Sequence, residues 1–249
     1  MINFCMKKIL TLLITLCLSL FAAQNESFSK SKKELERIYM DHQITFYCGC
    51  KYDKRNKDNM IDRGSCGYVP RNPITKSGKP NERTTRIEWE HIVPAENFGR
   101  QLTCWRDGAP ECVNGNGKAF RGRKCCEKAS QEFRIMQADM HNLVPAIGEL
   151  NGDRSNLRYD FEEARKGQYG ECRFEVDFDQ DRVRIKKDIR GDVARTYFYM
   201  SDRYKMKLSP QELNKFSVWN KEDPVDAWEI EKNKRIKAIQ GYGNPWILK

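Results

Sequence analysis

The stretch Arg86 to Ala95, reading Arg-Ile-Glu-Trp-Glu-His-Ile-Val-Pro-Ala, holds this chain's most reactive combination of side chains. Glu90 is a hard oxygen ligand of the kind Mg²⁺ prefers. His91 is a base that is neutral near pH 7. Ile87, Trp89 and His91 alternate with Arg86, Glu88 and Glu90, the period of a strand. Pro94 has no N–H to give a ladder, so the Glu–His pair sits at a strand end. Neighbours on a regular strand point to opposite faces. For both to reach one phosphate, the strand is expected to bend or bulge at this pair. Glu88 is placed either to support Glu90 or to pair on the surface. Two later segments could join them. His141 and Asn142 close a helical pattern, where His141 is a rival base in a setting that suggests a structural hydrogen bond. Asn151 precedes Gly152, a position that ordinarily caps a helix or makes a turn.

The elements that must position these residues can be read from pattern. Leu35, Ile38, Tyr39, His42 and Phe46 recur at helical spacing and predict an amphipathic helix over 31–46, with His42 packed on its apolar stripe. Lys51 to Asn59 is a charged loop, and Cys66 to Lys79 is loop or turn. Thr84 to His91 is the strand. Arg100 to Lys128 has little periodicity and several Gly and Cys, so it reads as a long cross-linked loop carrying Lys118, Arg121, Arg123, Lys124 and Lys128. Ser130 to Asn142 is helical, and Pro145 suits the first turn of a second helical piece from Ala146 to about Asn151. Phe174 to Phe178 and Arg182 to Lys186 alternate around Asp179-Gln180-Asp181, a hairpin with a basic solvent face. Three helices follow: Asp192 to Tyr204, Ser209 to Trp219 behind a capping box, and one from Asp223-Pro224 toward Gly241. One mixed α+β domain over 24–249, with few strands and much helix and loop, fits this pattern.

The first 23 residues read as a leader. Lys7 and Lys8 precede the apolar run Ile9 to Phe21, and Ala22-Ala23 offers a cleavage site. That run is short for a membrane span, and nothing later is apolar enough to be one. The chain has 10 cysteines. Cys5 and Cys17 leave with the leader, and an even set in an exported chain reads as disulfides. A zinc site on Cys48, Cys50, Cys125 and Cys126 is the rival, with spacings that fit it poorly. The formal net charge is +10, and it stays strongly positive without Lys7 and Lys8. Such a chain favours polyanions, either nucleic acid, anionic polysaccharide or a membrane surface.

Glu88-Trp89-Glu90-His91-Ile92-Val93-Pro94-Ala95, Met140-His141-Asn142-Leu143-Val144-Pro145-Ala146 and Leu150-Asn151-Gly152-Asp153-Arg154 together resemble the bacterial endonuclease I family of periplasmic or secreted nucleases, within the ββα-metal (His-Me finger) superfamily. Phe46-Tyr47-Cys48-Gly49-Cys50, Gln168 to Cys172, Ala194 to Met200 and Phe216 to Asn220 are also similar to that family. The resemblance runs from about Tyr39 to Pro245. It implies a ββα-metal core and a metal-dependent endonuclease of little sequence specificity, acting on double- and single-stranded DNA; RNA is expected as a further substrate, because nothing in such a mechanism reads the 2′-position. His91 matches the general base that activates water. Glu90 and Asn151 match the ligands of one Mg²⁺, a site that Mn²⁺ or Ca²⁺ could also occupy. Arg123 matches an Arg on the scissile phosphate, with Arg121 close by. The implied products carry 5′-phosphates.

The sequence departs from the family near the C-terminus, where an expected Cys pair is missing. Cys112 and Cys125 appear instead in or beside an apparent insertion at roughly 110–120, so one disulfide is expected to have moved. Backbone contacts are expected from Arg121, Lys124 and Lys128 in the loop and from Arg182, Arg184 and Lys186 on the hairpin. A monomer in the periplasm or outside the cell is expected. Two other readings compete with it. One is a non-catalytic binding protein for DNA or polysaccharide on the same scaffold. The other is a zinc hydrolase using Glu90, His91 and His141.

Overall fold

The structure, a computed structural model, describes residues 24–53 and 60–248. The expected leader at 1–23 and most of the charged loop ending at Asn59 lie outside them.

Helix α1 (Phe28–Ile38) opens the described chain, with the Ser27 side chain accepting the Lys30 N–H at its start. It begins three residues before the predicted helix because of that cap, and it ends eight residues sooner. Past Ile38 the backbone turns, and Thr45 and Phe46 spend their N–H groups on Cys50 and Pro145 carbonyls rather than on a helix. His42 therefore leaves the helical stripe and stacks on Trp228, 3.9 Å between centroids. Strands β1 (Tyr52–Asp53) and β2 (Met60–Ile61) form a short antiparallel pair.

Strand β3 (Ile87–His91) pairs antiparallel with β4 (Leu143–Ile147). Between them run four short helices: α2 (Ala95–Gly99), α3 (Thr103–Arg106), α4 (Arg123–Ala129) and α5 (Gln131–Gln137). Helix α6 (Gly148–Arg154) follows β4 directly, so β3, β4 and α6 make a strand–strand–helix finger. Three expectations change here. The pairing runs in unbroken register from Ile87↔Ile147 to His91↔Leu143, so there is no bulge at Glu90 and His91. No bulge is needed: Glu88, Trp89, Glu90 and His91 all line one cavity, so side chains of both alternations reach it from a regular strand. Pro145 lies inside β4 rather than starting a helix. Its missing N–H is tolerated in a strand that has only one neighbour. The expected long loop contains α3 and α4, each held by a disulfide.

In the second half, β6 (Phe174–Asp177) and β7 (Arg182–Ile185) form the predicted hairpin, with the unpredicted β5 (Arg158–Glu163) running parallel to β7 in the order β5-β7-β6. Helices α7 (Arg190–Tyr204), α8 (Pro210–Glu222) and α9 (Ala227–Gln240) complete the fold. The Ser209–Glu212 capping box is present. Helix α9 starts from a second box, Asp226 with Glu229, rather than at Asp223-Pro224. It stops at Gly241, whose φ of 88° is the left-handed value a glycine reaches without strain.

The eight cysteines of the described chain form Cys48–Cys172, Cys50–Cys66, Cys104–Cys126 and Cys112–Cys125. Those bonds consume the thiolates a zinc knuckle would need, so that reading falls. The main core joins the finger to α2, α4, α5, the three-stranded sheet and α7–α8. A smaller cluster of Leu35, Ile38, Tyr39, Met140, Leu143 and Ile236 fixes α1 and α9 to the back of β4. The result is a mixed α+β fold around a ββα finger. Among the described residues no helix is long and apolar enough to cross a membrane.

Candidate active site

His91 ends β3 and is buried. Its Nε2 lies 2.9 Å from the Gln137 carbonyl oxygen. A carbonyl only accepts, so Nε2 carries the proton and Nδ1 is left as the basic nitrogen. Burial holds the imidazole down, to a pKa of about 4, against the pull of the Gln137 carbonyl and with help from Arg123 and Arg154. The ring is therefore neutral at pH 7, as a general base must be.

Glu90 is buried one residue earlier, with weak support. Tyr47 Oη is 3.5 Å and Arg154 Nε is 3.6 Å from its Oε1. Burial pushes this carboxyl up to about 7, and Arg154 only partly opposes the rise. A carboxylate this poorly compensated has room for a cation. Asn151 sits one turn into α6, not at a cap. Its Nδ2 donates to Glu88 Oε2 at 2.9 Å, and Glu88 in turn takes two bonds from Arg83 at 2.9 and 2.6 Å. With the amide nitrogen committed, Oδ1 is left as the acceptor. Glu88 thus serves the site by orienting Asn151 rather than as a loose surface charge. One carboxylate and one amide oxygen fit a hard divalent ion that keeps much of its water. No group of three or more His, Cys, Asp and Glu suited to a metal gathers among the described residues.

Arg123 opens α4. Its Nε donates to Gln137 Oε1 at 2.8 Å and to Glu127 Oε1 at 3.1 Å, leaving the two terminal nitrogens of the guanidinium for a ligand. Glu90, His91, Arg123 and Asn151 all line one cavity of about 820 Å³, together with Phe28, Lys32, Trp105 and Arg154. That size suits a segment of polymer or a small ligand, in the roughly 300–1,000 Å³ range of such clefts.

The other expected contacts divide by location. Arg121 donates to the Arg106 carbonyl and lines a smaller basic hollow with Arg100, Arg106 and Trp105, next to the cavity. Lys124 is exposed on α4, and Lys128 on the same helix bonds the Glu111 carbonyl. Arg182, Arg184 and Lys186 do not line the cavity. Arg184 is largely buried among Asp160, Glu162, Glu175 and Asp177, and Lys186 pairs with Asp188. The alternation that marked this strand as basic says nothing of the carboxylates folded against it. His141 packs against Tyr199 and points Nε2 at the Tyr242 carbonyl, 3.2 Å away. It does not line the cavity, so it is structural as expected and is unavailable to the zinc reading.

Three residues of the site escaped the sequence pattern. Arg154 lies one turn beyond Asn151, and that i, i+3 spacing was the available signal. Gln137 reaches His91 through a backbone carbonyl, which no side-chain motif could mark. Phe28 comes from a helix more than sixty residues upstream.

A histidine closing the first strand of a ββα finger, with a Glu beside it and an Asn on the helix, places this chain in the class of ββα-metal folds. The model of the Endonuclease I family matches residues 21–249, and the chain belongs to that family. It is 43% identical over 244 residues to an extracellular deoxyribonuclease of Aeromonas hydrophila, covering 95% of this chain and 97% of that protein. It is 43% identical over 241 residues to a periplasmic deoxyribonuclease of the same organism, 96% and 92% of the two chains. It is 40% identical over 224 residues to Endonuclease-1 of Buchnera aphidicola, 90% and 81% of the two chains.

Proposed function

We propose that this chain is an exported endonuclease that hydrolyses phosphodiester bonds of double- and single-stranded DNA, and of RNA, with little sequence preference. Family membership and the deoxyribonuclease relatives support the nuclease activity. The extracellular and periplasmic names of those relatives support export. The observation that carries the mechanism is the lock on His91. With Nε2 tied to Gln137, Nδ1 is the only nitrogen that can take a proton.

A water molecule beside His91 loses a proton to Nδ1, and its oxygen attacks phosphorus. The P–O3′ bond breaks, the leaving 3′-oxygen takes a proton from solvent, and the phosphate stays on the 5′ side. Arg123 meets the charge that grows on the phosphate oxygens with a fixed guanidinium. Glu90 and Asn151 would hold Mg²⁺, or Mn²⁺ or Ca²⁺ in its place, and that ion supplies Lewis-acid charge relief at the phosphate. Nothing in this scheme reads the 2′-position, which supports action on RNA. The protein acts as a monomer.

The test is plasmid digestion by the oxidised, leader-free protein with Mg²⁺, with EDTA and as His91→Ala. Cleavage should be lost with EDTA and fall by roughly a thousandfold or more in His91→Ala, the scale of a lost acid–base group. DNA binding without cleavage in the wild type would leave the binding-protein reading instead. Full activity in His91→Ala would remove His91 from the mechanism.

A further inference from the structure

The N-terminal segment does more than begin the fold. Phe28 is the first residue of α1, and its ring lies 4.9 Å from the His91 ring at 32°. Phe98 approaches the imidazole at 6.3 Å. The Phe28 ring also lies within 4.9 Å of Lys32 Nζ and 5.9 Å of Arg123 Cζ. The segment is tied down on both sides of that contact. Glu26 bonds Arg134 Nε at 2.9 Å and also takes a bond from Gln131. Asn25 bonds Ser31 at 2.7 Å, and Ser31 bonds the Ala138 carbonyl. These anchors lie on α5 and the residue after it, the same element whose Gln137 carbonyl fixes His91. The base and the segment across it thus share one support.

We propose that residues 24–32 form a strap that completes the catalytic cavity, with Phe28 as a positioning residue for the general base; this rests on the nuclease reading above. A hydrogen bond at Nε2 sets the tautomer but leaves the ring free to tilt about that bond. A phenyl face packed on the imidazole removes that freedom and keeps Nδ1 aimed into the cavity. The same ring covers His91 from bulk water. Phe28 only flanks the cluster that holds α1 in place, packing against it while partly buried. Its buried members Leu35, Ile38 and Tyr39, two turns downstream, carry the main anchorage. Removal of Phe28 should therefore disturb the base without releasing the helix.

The test compares wild type, Phe28→Ala and Phe28→Tyr with a fourth protein, Glu26→Ala, that loosens the strap and keeps the ring. Phe28→Ala should lower kcat roughly 10- to 100-fold, the cost of slight misplacement of a reacting group, with KM for DNA within about twofold of wild type. Phe28→Tyr should restore most of the rate, and Glu26→Ala should fall between. In metal-free protein, the His91 ring-proton NMR signals should lose their Phe28 ring-current shift in Phe28→Ala and keep it in Phe28→Tyr. A kcat within twofold of wild type for Phe28→Ala overturns the proposal. So does a loss that Phe28→Tyr does not restore, or one matched by a rise in KM. A wild type that does not cleave at all would sink the nuclease reading, and the NMR comparison would still decide whether Phe28 holds the imidazole.

Discussion

Gln137 gives its backbone to the proposed base, His91, and its side chain to the proposed clamp, Arg123. Its carbonyl fixes His91, and its Oε1 holds Arg123 at 2.8 Å. Gln137→Ala keeps the first bond and deletes the second, so Arg123 would swing toward Glu127. The expected result is a kcat/KM lower by about tenfold, the size of one hydrogen bond to a charged group, with the His91 tautomer unchanged. Single-turnover rates and the ¹⁵N shifts of His91 would check both halves. The two titrating groups also predict a pH profile. His91 stays neutral down to about pH 4 because burial disfavours its cation. Glu90, pushed by burial up to about 7, must lose its proton to hold a cation. With Mg²⁺ held at Glu90 as proposed, protons and Mg²⁺ compete there. As pH falls below about 7, the apparent Mg²⁺ affinity should drop about tenfold per unit, from displacement of one proton. Rate profiles at limiting and saturating Mg²⁺ should separate, with the acid limb moving to lower pH as Mg²⁺ rises. An acid limb that ignores Mg²⁺ would return the titration to another group.

At the scale of elements, α4 is the least self-sufficient piece of the site and the most heavily fastened. It is seven residues long, its N-cap has no side-chain bond, and it carries Arg123 at its first position. Cys125 and Cys126 tie it to Cys112 and Cys104. Chain-entropy reasoning gives about 3 kcal/mol for a loop near 15 residues and about 5 kcal/mol for one above 100. Cys112→Ser with Cys125→Ser, at a separation of 13, should therefore cost less stability than Cys48→Ser with Cys172→Ser, at 124. Activity should show the opposite order, because only the first pair loosens the helix that aims Arg123, leaving it on Cys104–Cys126 alone. Melting curves and initial rates on both double variants would show it. Legibility followed the same division. That Glu90, His91 and Asn151 gather at one cavity could be expected from the family resemblance of the short motifs that carry them. The strand at Pro145 could not, because pairing with β3 overrode the local preference of Pro. Helices α3 and α4 are shorter than any window in which periodicity can speak, and cross-links hold them. Phe28 and Gln137 reach the site through tertiary contacts that no local spacing records.

Across the whole molecule, the net charge of +10 is not spread evenly in effect. On the three-stranded sheet, cations are spent on neighbours: Arg184 on Asp160, Glu162, Glu175 and Asp177, Arg165 on Glu175, Arg173 on Glu163, and Lys186 on Asp188. Around the cavity, Lys32, Lys33, Arg123 and Arg154 share the wall with Glu36, Glu88, Glu90 and Glu96, and in the adjoining hollow Arg100, paired with Glu96, stands beside Arg106 and Arg121. The excess of positive charge on this side therefore lies in the hollow, at Arg106 and Arg121, and on the exposed Lys124, and that is where a polyanion should be drawn, although a count of basic residues by strand pointed equally to the hairpin. Counterion release turns this into a number. Each phosphate contact removed should lower the slope of log binding constant against log salt by about 0.9 on duplex DNA. Arg121→Ala with Lys124→Ala should reduce the slope by up to about 2 and weaken binding alike on unrelated sequences. Arg182→Ala with Lys186→Ala should leave the slope where it was. Fluorescence anisotropy with a labelled duplex in EDTA, across a salt series, measures binding apart from cleavage. An equal loss from both double variants would mean that DNA also lies across the hairpin.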